Sequence, residues 1–197
     1  MKDVEKEWLQ QALHGDANAF GQLVEVYNQP VYNLCFRMLG DPYEAEDAAQ
    51  EAFLRAYKSL KRYDITRSFS TWLLSIAAHY CIDLIRKRRI WFIPIDTLDY
   101  REIRDPSPNP ESSLSISEDQ QQIQSLLESL SPTDRAAVVM RYWYDFSYDE
   151  ISNTLNLSLS AVKSRLHRAR RTLAQSWSEK SYQNMNEKRK YHESPAL

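Results

Sequence analysis

Two clusters of cations are the residues with the clearest potential for chemistry. Residues 158–175 contain five basic side chains and no acid, and residues 55–90 contain nine basic side chains against two acidic ones. Clustered lysine and arginine are the electrostatic signature of nucleic-acid binding. Solvated helix faces would give the same charge pattern, so both interpretations stay open on charge alone.

Aromatic residues alternate with the cations in the first part of the earlier cluster. The rings are Tyr57, Tyr63, Phe69 and Trp72, and the cations are Lys58, Lys61, Arg62 and Arg67. Flat rings and positive charge suit a single strand, because unstacked bases need stacking surfaces and the backbone needs counter-charge. We expect Tyr63 to be an exposed stacking or pocket residue and Phe69 to be a core residue. Trp72 could have either role.

The later cluster has a one-sided pattern when it is placed on a helical wheel. Its apolar stripe contains Val162, Leu166, Ala169 and Leu173, and its opposite face contains Lys163, Ser164, His167, Arg168 and Arg171. Arg165 and Arg170 flank the stripe, where long side chains could reach phosphates. A short helix ahead of it, with Ile151 and Leu155 as its apolar contacts, completes a predicted helix-turn-helix that reads a major groove.

Acidic residues dominate the first part of the chain, where residues 1–54 have a net charge of −7. Asp47 with Glu51, and Glu46 with Gln50, are i, i+4 pairs on one predicted helix. No histidine, cysteine or glycine-rich loop converges on these carboxylates, so we expect no catalytic site, metal ion or cofactor. A face that docks a protein partner is the simpler interpretation, and a solvated helix face is its alternative.

Helical periodicity runs through almost the whole chain and predicts an all-α fold of two small domains. The first domain, residues 1–90, has a stripe from Ala19 to Leu39, a helix capped by Asp41 with Pro42 at its first position, and a third helix after Ser70. On that third helix Ser75, His79, Asp83 and Arg86 form a polar face. Cys35 and Cys81 are expected to be buried, reduced thiols.

Residues 91–117 are rich in proline, serine and acids and predict a flexible linker. The second domain, residues 118–177, contains an N-cap at Ser131 and a capping box from Ser147 to Glu150. The polar tail, residues 178–197, is expected to be disordered. Neither a signal peptide nor a membrane span is predicted, which places the protein in the cytoplasm.

Several runs resemble those of bacterial RNA polymerase sigma factors of the extracytoplasmic-function (ECF) group. They are residues 47–56 (DAAQEAFLRA), residues 69–73 (FSTWL) with Ile76, Ala77 and Asp83 beyond, and residues 161–170 (AVKSRLHRAR). The likeness spans about residues 15–175, and the motifs occur in the family's order.

The resemblance implies that the chain binds core RNA polymerase and promoter DNA to start transcription, in the way of factors that govern stress or envelope genes. Asp47, Gln50 and Glu51 would dock on the polymerase clamp helices, and the linker would follow the polymerase's interior channel. The loop at Tyr63 and the face of the next helix would melt the −10 element and capture a flipped base. The residues implied at the −10 element are Tyr63, Arg67, Trp72, His79 and Arg86. Those implied at the duplex −35 element are Lys163, Ser164, Arg165, His167, Arg168 and Arg171.

An anti-sigma factor, in some cases at the membrane, holds many proteins of this kind inactive, and the resemblance implies such a partner here. The chain departs from the family at two places: Ser160 and Ala161 replace a common Gly-Thr pair, and His79 replaces a common Asn. Two other functions fit parts of the pattern. One is a self-sufficient helix-turn-helix regulator whose first domain dimerises or binds a ligand, and the other is an enzyme that acts on nucleic acid.

Overall fold

The computed structural model describes residues 2–91 and 118–192, and these are helical almost throughout. The helices are α1 (Lys2–Leu13), α2 (Ala17–Leu39), α3 (Pro42–Ser59), α4 (Phe69–Trp91), α5 (Glu118–Glu128), α6 (Pro132–Trp143), α7 (Tyr148–Leu155) and α8 (Leu159–His192), with a 3-10 turn at Leu60–Arg62. The all-α prediction is confirmed for this part of the chain. The predicted linker, apart from Trp91, lies outside the described residues, as do residues 193–197.

Local sequence signals explain where α2 and α3 begin and end. The Asp16 carboxylate accepts hydrogen bonds from the backbone N–H groups of Asn18 and Ala19, which caps the start of α2. Gly40 ends this helix with a φ of 82°, a left-handed conformation that favours glycine. Asp41 then caps α3 through the Glu44 N–H, and Pro42 occupies the first turn as predicted.

The alanine-rich face of α3 forms the centre of the first domain. Ala45, Ala48, Ala49, Ala52 and Ala56 are all buried, and α3 packs against both α2 and α4. Small side chains let the three helix backbones approach closely, while longer residues of α2 and α4 fill the remaining space. Cys35 and Cys81 are buried and free, which confirms the expected state of the thiols.

Helix α1 adds a layer that the sequence pattern did not separate from the rest of the bundle. Leu9 and Ala12 are buried, and the helix packs on α2 and on the 3-10 turn. The break between α1 and α2 occurs at Gly15, whose φ is 100°. The left-handed backbone at Gly15 lets the chain reverse direction, so that α1 and α2 pack against each other.

The second domain has the predicted caps and apolar stripe. Ser131 caps α6, and Ser147 with Glu150 forms a complete capping box at α7. Asn156 follows α7 in the left-handed conformation, with a φ of 52°, and makes the tight turn into α8. Val162, Leu166 and Ala169 of α8 are buried, which confirms the face assigned to the core.

Helix α8 is longer than expected. The prediction of a disordered tail from residue 178 is wrong as far as His192, because α8 continues to that residue. The segment contains no proline or glycine before Pro195, and its Lys, Glu, Gln, Arg and Met residues are good helix formers. Once the apolar stripe has nucleated the helix, extending it costs little.

The two domains pack against each other along the second half of α2. Buried Arg135 of α6 donates a hydrogen bond to the Met38 carbonyl, which lies in the last turn of α2. Tyr144 donates to the Pro30 carbonyl at 2.6 Å. A Cβ added at Gly40 would lie 2.6 Å from Oε1 of Glu128, so that side chain of α5 would have to shift. A cation at a helix C-terminus also meets the negative end of the helix dipole.

Replacing Arg135 with methionine should loosen this contact while the aliphatic part of the side chain is kept. A buried hydrogen bond from a charged donor contributes roughly 1.5–3 kcal/mol, so we expect the domains to separate and the radius of gyration to rise in small-angle X-ray scattering. Helix content by circular dichroism should not change. Arg141→Met is the control, because Arg141 bonds to the Phe146 carbonyl within its own domain. An unchanged radius in folded Arg135→Met would contradict the assignment.

Candidate nucleic-acid and partner-binding surfaces

The outer face of α8 presents the residues predicted to read duplex DNA. Lys163, Ser164, His167 and Arg168 are all exposed. Ser164, His167, Arg168 and Arg171 line one side-chain cleft of about 350 Å³. The buried stripe fixes the rotation of the helix, so these polar groups point together towards solvent. This arrangement suits insertion of α8 into a major groove.

Arg165 has a different environment from its predicted one. Its Nη1 atom lies 2.8 Å from Oδ1 of Asp134, and both side chains are largely buried. Asp134 in turn accepts a hydrogen bond from the Ser131 hydroxyl at 2.8 Å. The pair therefore ties α8 to the start of α6, and the expectation that Arg165 extends freely towards phosphates is not met.

The face of α4 is built on a cluster of four rings. Tyr63 lies 5.7 Å from Phe69 and 5.0 Å from Trp72, and Tyr27 lies 5.4 Å from Phe69, all between ring centroids. Phe69 is buried, which confirms its predicted core role. Tyr63 is only 8% exposed, so the prediction of an exposed stacking residue is wrong. Its hydroxyl donates to the Arg67 carbonyl, which fixes the loop.

The other predicted residues of this face lie around the cluster. Trp72 is half-buried, whereas Arg67, His79 and Arg86 are exposed. Nδ1 of His79 lies 2.8 Å from the Ser75 carbonyl, which orients the ring along α4. Hydrogen bonds from the Thr66 hydroxyl and N–H, and the nearby Arg67, lower the pKa of Asp64 below its ordinary value. The loop thus combines an ordered turn with an exposed cation.

Helix α7 lies against this face, a contact that the sequence did not indicate. Thr71 donates a hydrogen bond to Glu150 at 3.2 Å, and residues of both helices line a cleft of about 430 Å³ that includes Trp72 and His79. Burial alone would raise the pKa of Glu150, but hydrogen bonds from Ser147 and Thr71 outweigh it and hold the pKa below its ordinary value. The carboxylate stays ionised and joins the two domains.

The outer face of α3 carries the predicted docking residues. Asp47 and Gln50 are exposed, and half-buried Glu51 forms an ion pair with Arg55 at 2.8 Å. The Arg55 guanidinium also lies over the Tyr80 ring, 4.4 Å from its centroid. The acidic surface of α3 is therefore connected to α4 through one arginine.

An apolar groove beside these acids was missed in the sequence. It has a volume of about 540 Å³ and is lined by Ala17, Phe20, Gly21, Val24, Asn28, Gln50, Phe53, Leu54 and Tyr57. Leu54 is 54% exposed and Tyr57 is 46% exposed. Exposed leucine and tyrosine next to carboxylates are typical of a protein-binding surface. The sequence did contain an indication of this groove, because Leu54 is a large apolar residue on the face of α3 opposite the buried alanines.

Two further findings concern only the described part of the chain. It contains no group of three or more His, Cys, Asp or Glu side chains that could hold a metal ion. It also contains no helix that is both long and apolar enough to cross a membrane.

Comparison with known proteins identifies the class. Residues 23–90 match the model of Sigma-70 region 2, and residues 120–173 match that of Sigma-70 region 4. These two matches cover more than half of the chain, one within each domain. The protein is therefore an RNA polymerase sigma factor of the sigma-70 family, which favours this function over an independent regulator or a nucleic-acid enzyme.

The relatives define the group within that family. ECF RNA polymerase sigma factor SigW of Bacillus subtilis is 37% identical over 175 residues, covering 85% of this chain and 94% of SigW. CnrH, solved with the cytosolic domain of CnrY, has the same fold with a TM-score of 0.65 at 23% identity, over 89% of this chain and 98% of CnrH. RpoE of Bartonella quintana, solved with the anti-sigma factor NepR, gives a TM-score of 0.60 at 20% identity, over 79% and 94% of the two chains. The chain belongs to the ECF group of sigma factors.

The ion pair of Arg165 with Asp134 gives a direct test of its role. Arg165→Met and Asp134→Asn should each lower the free energy of unfolding by about 1 kcal/mol, and the double variant should lose less than the sum. Urea denaturation of the full chain measures this. Arg165→Met should also leave the salt dependence of −35 duplex binding unchanged, whereas Arg170→Met should reduce the slope by about 1. The reverse result would restore Arg165 as a phosphate contact.

Proposed function

We propose that each surface of this sigma factor has a separate partner. The acidic face of α3, with Asp47, Gln50 and Glu51, binds core RNA polymerase, and the adjoining apolar groove supplies buried area. The proposal is supported by the exposure of Leu54 and Tyr57 beside carboxylates, since a solvated face would not need exposed apolar side chains. Carboxylates at the rim favour a basic partner surface and speed its association.

Helix α8 takes the duplex −35 element in this proposal. Lys163, Ser164, His167, Arg168 and Arg171 read base edges or hold the backbone, because they share the single exposed face that the buried stripe leaves. This shared face is the observation that carries the proposal. Side chains of these types form the common hydrogen-bonding contacts with base edges and phosphates in a major groove.

The loop from Tyr63 to Phe69 and the polar face of α4 take the −10 element. The single strand contacts Arg67, Trp72, His79 and Arg86. Tyr63 does not stack on a base but holds the loop through its hydrogen bond to the Arg67 carbonyl. In the structure α7 covers part of this face through Thr71 and Glu150. Promoter binding therefore requires the two domains to move apart, with the linker following the polymerase channel.

The sigma factor itself supplies positioning and strand separation, and core polymerase carries out the bond formation. It works in the cytoplasm on stress or envelope genes, and an anti-sigma factor, soluble or at the membrane, holds it inactive. The proposal draws on the ECF group for this regulation, with SigW as a relative in sequence and CnrH and RpoE as solved structures of the same fold.

Arg168→Ala tests base reading at the −35 element. If Arg168 hydrogen-bonds a base edge, the variant should lose roughly 1–3 kcal/mol of discrimination at one position and keep its preference elsewhere. Run-off transcription with core polymerase on a set of single-base −35 variants measures this. Equal loss on every template would place Arg168 on phosphate. Arg170→Ala, on the flank of the same helix, is the matched control and should weaken all templates alike.

Charge reversal tests the polymerase-binding face. Asp47→Lys should lower affinity for core polymerase by about tenfold or more, because it puts a cation against a basic surface. Fluorescence anisotropy of labelled full-length protein with core enzyme gives the affinity, and circular dichroism confirms helix content. Glu7→Lys makes the same change at an exposed site on α1 and should have little effect. Equal affinity of Asp47→Lys and wild type would exclude Asp47 from the interface.

A further inference from the structure

Three glycines occur in the chain, and two of them are required by the backbone. Gly15 and Gly40 have positive φ and lie just after α1 and α2. Gly21 is different, because it lies inside α2 and has no positive φ. Glycine weakens a helix interior more than any residue except proline. A Cβ added at Gly21 would meet nothing within 4 Å beyond its own stretch of helix in the described part of the chain. Packing within the protein therefore gives no reason for this glycine.

Gly21 lies instead in the apolar groove of about 540 Å³ between α2 and α3. Phe20 and Phe53 are buried in this groove, whereas Leu54 and Tyr57 on α3 are exposed. The rings of Phe20 and Tyr57 lie 5.0 Å apart between centroids, which holds Tyr57 in place. The groove thus has large apolar side chains on its α3 side and a position without a side chain on its α2 side.

Acidic side chains flank the groove on both helices. Glu25 lies one helical turn after Gly21, and Asp47 lies one turn before Gln50, which itself lines the groove. Both carboxylates are exposed. Acids beside an apolar groove favour a partner that carries basic residues next to apolar ones. The groove also adjoins the face proposed to bind core polymerase, so the same partner can cover both.

The shape of the groove suits a helix of that partner. A groove between two helices receives an amphipathic helix through a few large apolar anchors. The missing side chain at Gly21 lets the backbone of such a helix come closer to α2 than a Cβ would allow. The match to Sigma-70 region 2 begins at residue 23, so Gly21 lies outside it.

We propose that a helix of core RNA polymerase lies in this groove, with an apolar side chain against Leu54 and Tyr57 and its backbone against Gly21. Gly21 then determines how closely the polymerase approaches α2. The glycine weakens the free helix, and the complex gains from its close contact. This assignment rests on the proposed polymerase-binding function of α3 and adds α2 as a second contact surface.

Substitution of Gly21 should change stability and affinity in opposite directions. Gly21→Ala should raise the midpoint of thermal unfolding by about 2 °C, because alanine is the better helix former and its methyl group meets no obstacle. The same variant should bind core polymerase about fivefold more weakly, since the methyl group occupies the space of the partner helix. Gly21→Leu should weaken binding further. Fluorescence anisotropy of labelled full-length protein with core enzyme measures the affinity.

Gln22→Ala and Gln22→Leu are the matched controls, because Gln22 is the exposed neighbour of Gly21 on α2 and does not line the groove. Both should bind core polymerase with wild-type affinity. Leu54→Ala removes an anchor on the opposite side and should lower the affinity about tenfold. Its helix content by circular dichroism should equal that of the wild type. A gain in stability together with a loss of affinity cannot arise from a folding defect.

Wild-type affinity in both Gly21 variants would overturn the assignment, and so would a fall in the unfolding midpoint of Gly21→Ala. Sedimentation of the free protein tests a second copy as the occupant, and a dimer that Gly21→Leu dissociates would also overturn it. Failure of the proposed function looks different, because Asp47→Lys would then bind core polymerase as the wild type does. A loss of affinity in Asp47→Lys with unchanged Gly21 variants removes only the contact at α2.

Discussion

Close packing at the alanine face of α3 is the constraint on which the first domain depends. Five alanines with little or no exposed surface let α2 and α4 approach α3 from two sides. A larger side chain at any of these positions would force the backbones apart, at a cost typical of overpacked cores. Because the alanines point inward, the acidic residues of α3 point outward. The same packing fixes the rotation of α4, and with it the polar face that carries His79 and Arg86.

The contact between the domains gives the charge pattern a structural meaning. A net charge of −2 conceals acidic and basic segments that the fold places on different faces. Arg135 ties the second domain to the end of α2, and Glu150 accepts a hydrogen bond from Thr71, so the polar face of α4 lies against the second domain. The second domain thus covers part of the polar face of α4 and leaves a cleft beside it.

Tyr63 shows how a sequence pattern can locate a loop and still predict the wrong environment for its side chain. Its place in a basic loop with other aromatics predicted an exposed ring, and the loop does line a cleft. The ring itself is buried against Phe69 and Trp72 because an aromatic cluster gains more from mutual packing than from exposure. Its hydroxyl was then available to hold the Arg67 carbonyl. Arg165 is a parallel case, since the fold gives it Asp134 as an ion-pair partner.

Periodicity and capping residues were sufficient for the helices and for the apolar and polar faces of α8, because these depend on neighbours within a few positions. Asp41, Ser131 and the Ser147–Glu150 box act within one turn, so their roles are visible in the sequence. The sequence did not predict the long extension of α8, the hydrogen bond from Tyr27 to Glu5 of α1, the groove at Leu54 or the Arg135 contact. Apart from the α8 extension, these depend on residues far apart in sequence, such as Glu5 with Tyr27 and Arg135 with Met38. Sequence determined which faces exist, and tertiary packing decided which of them meet, because only the folded chain sets distances between separate helices.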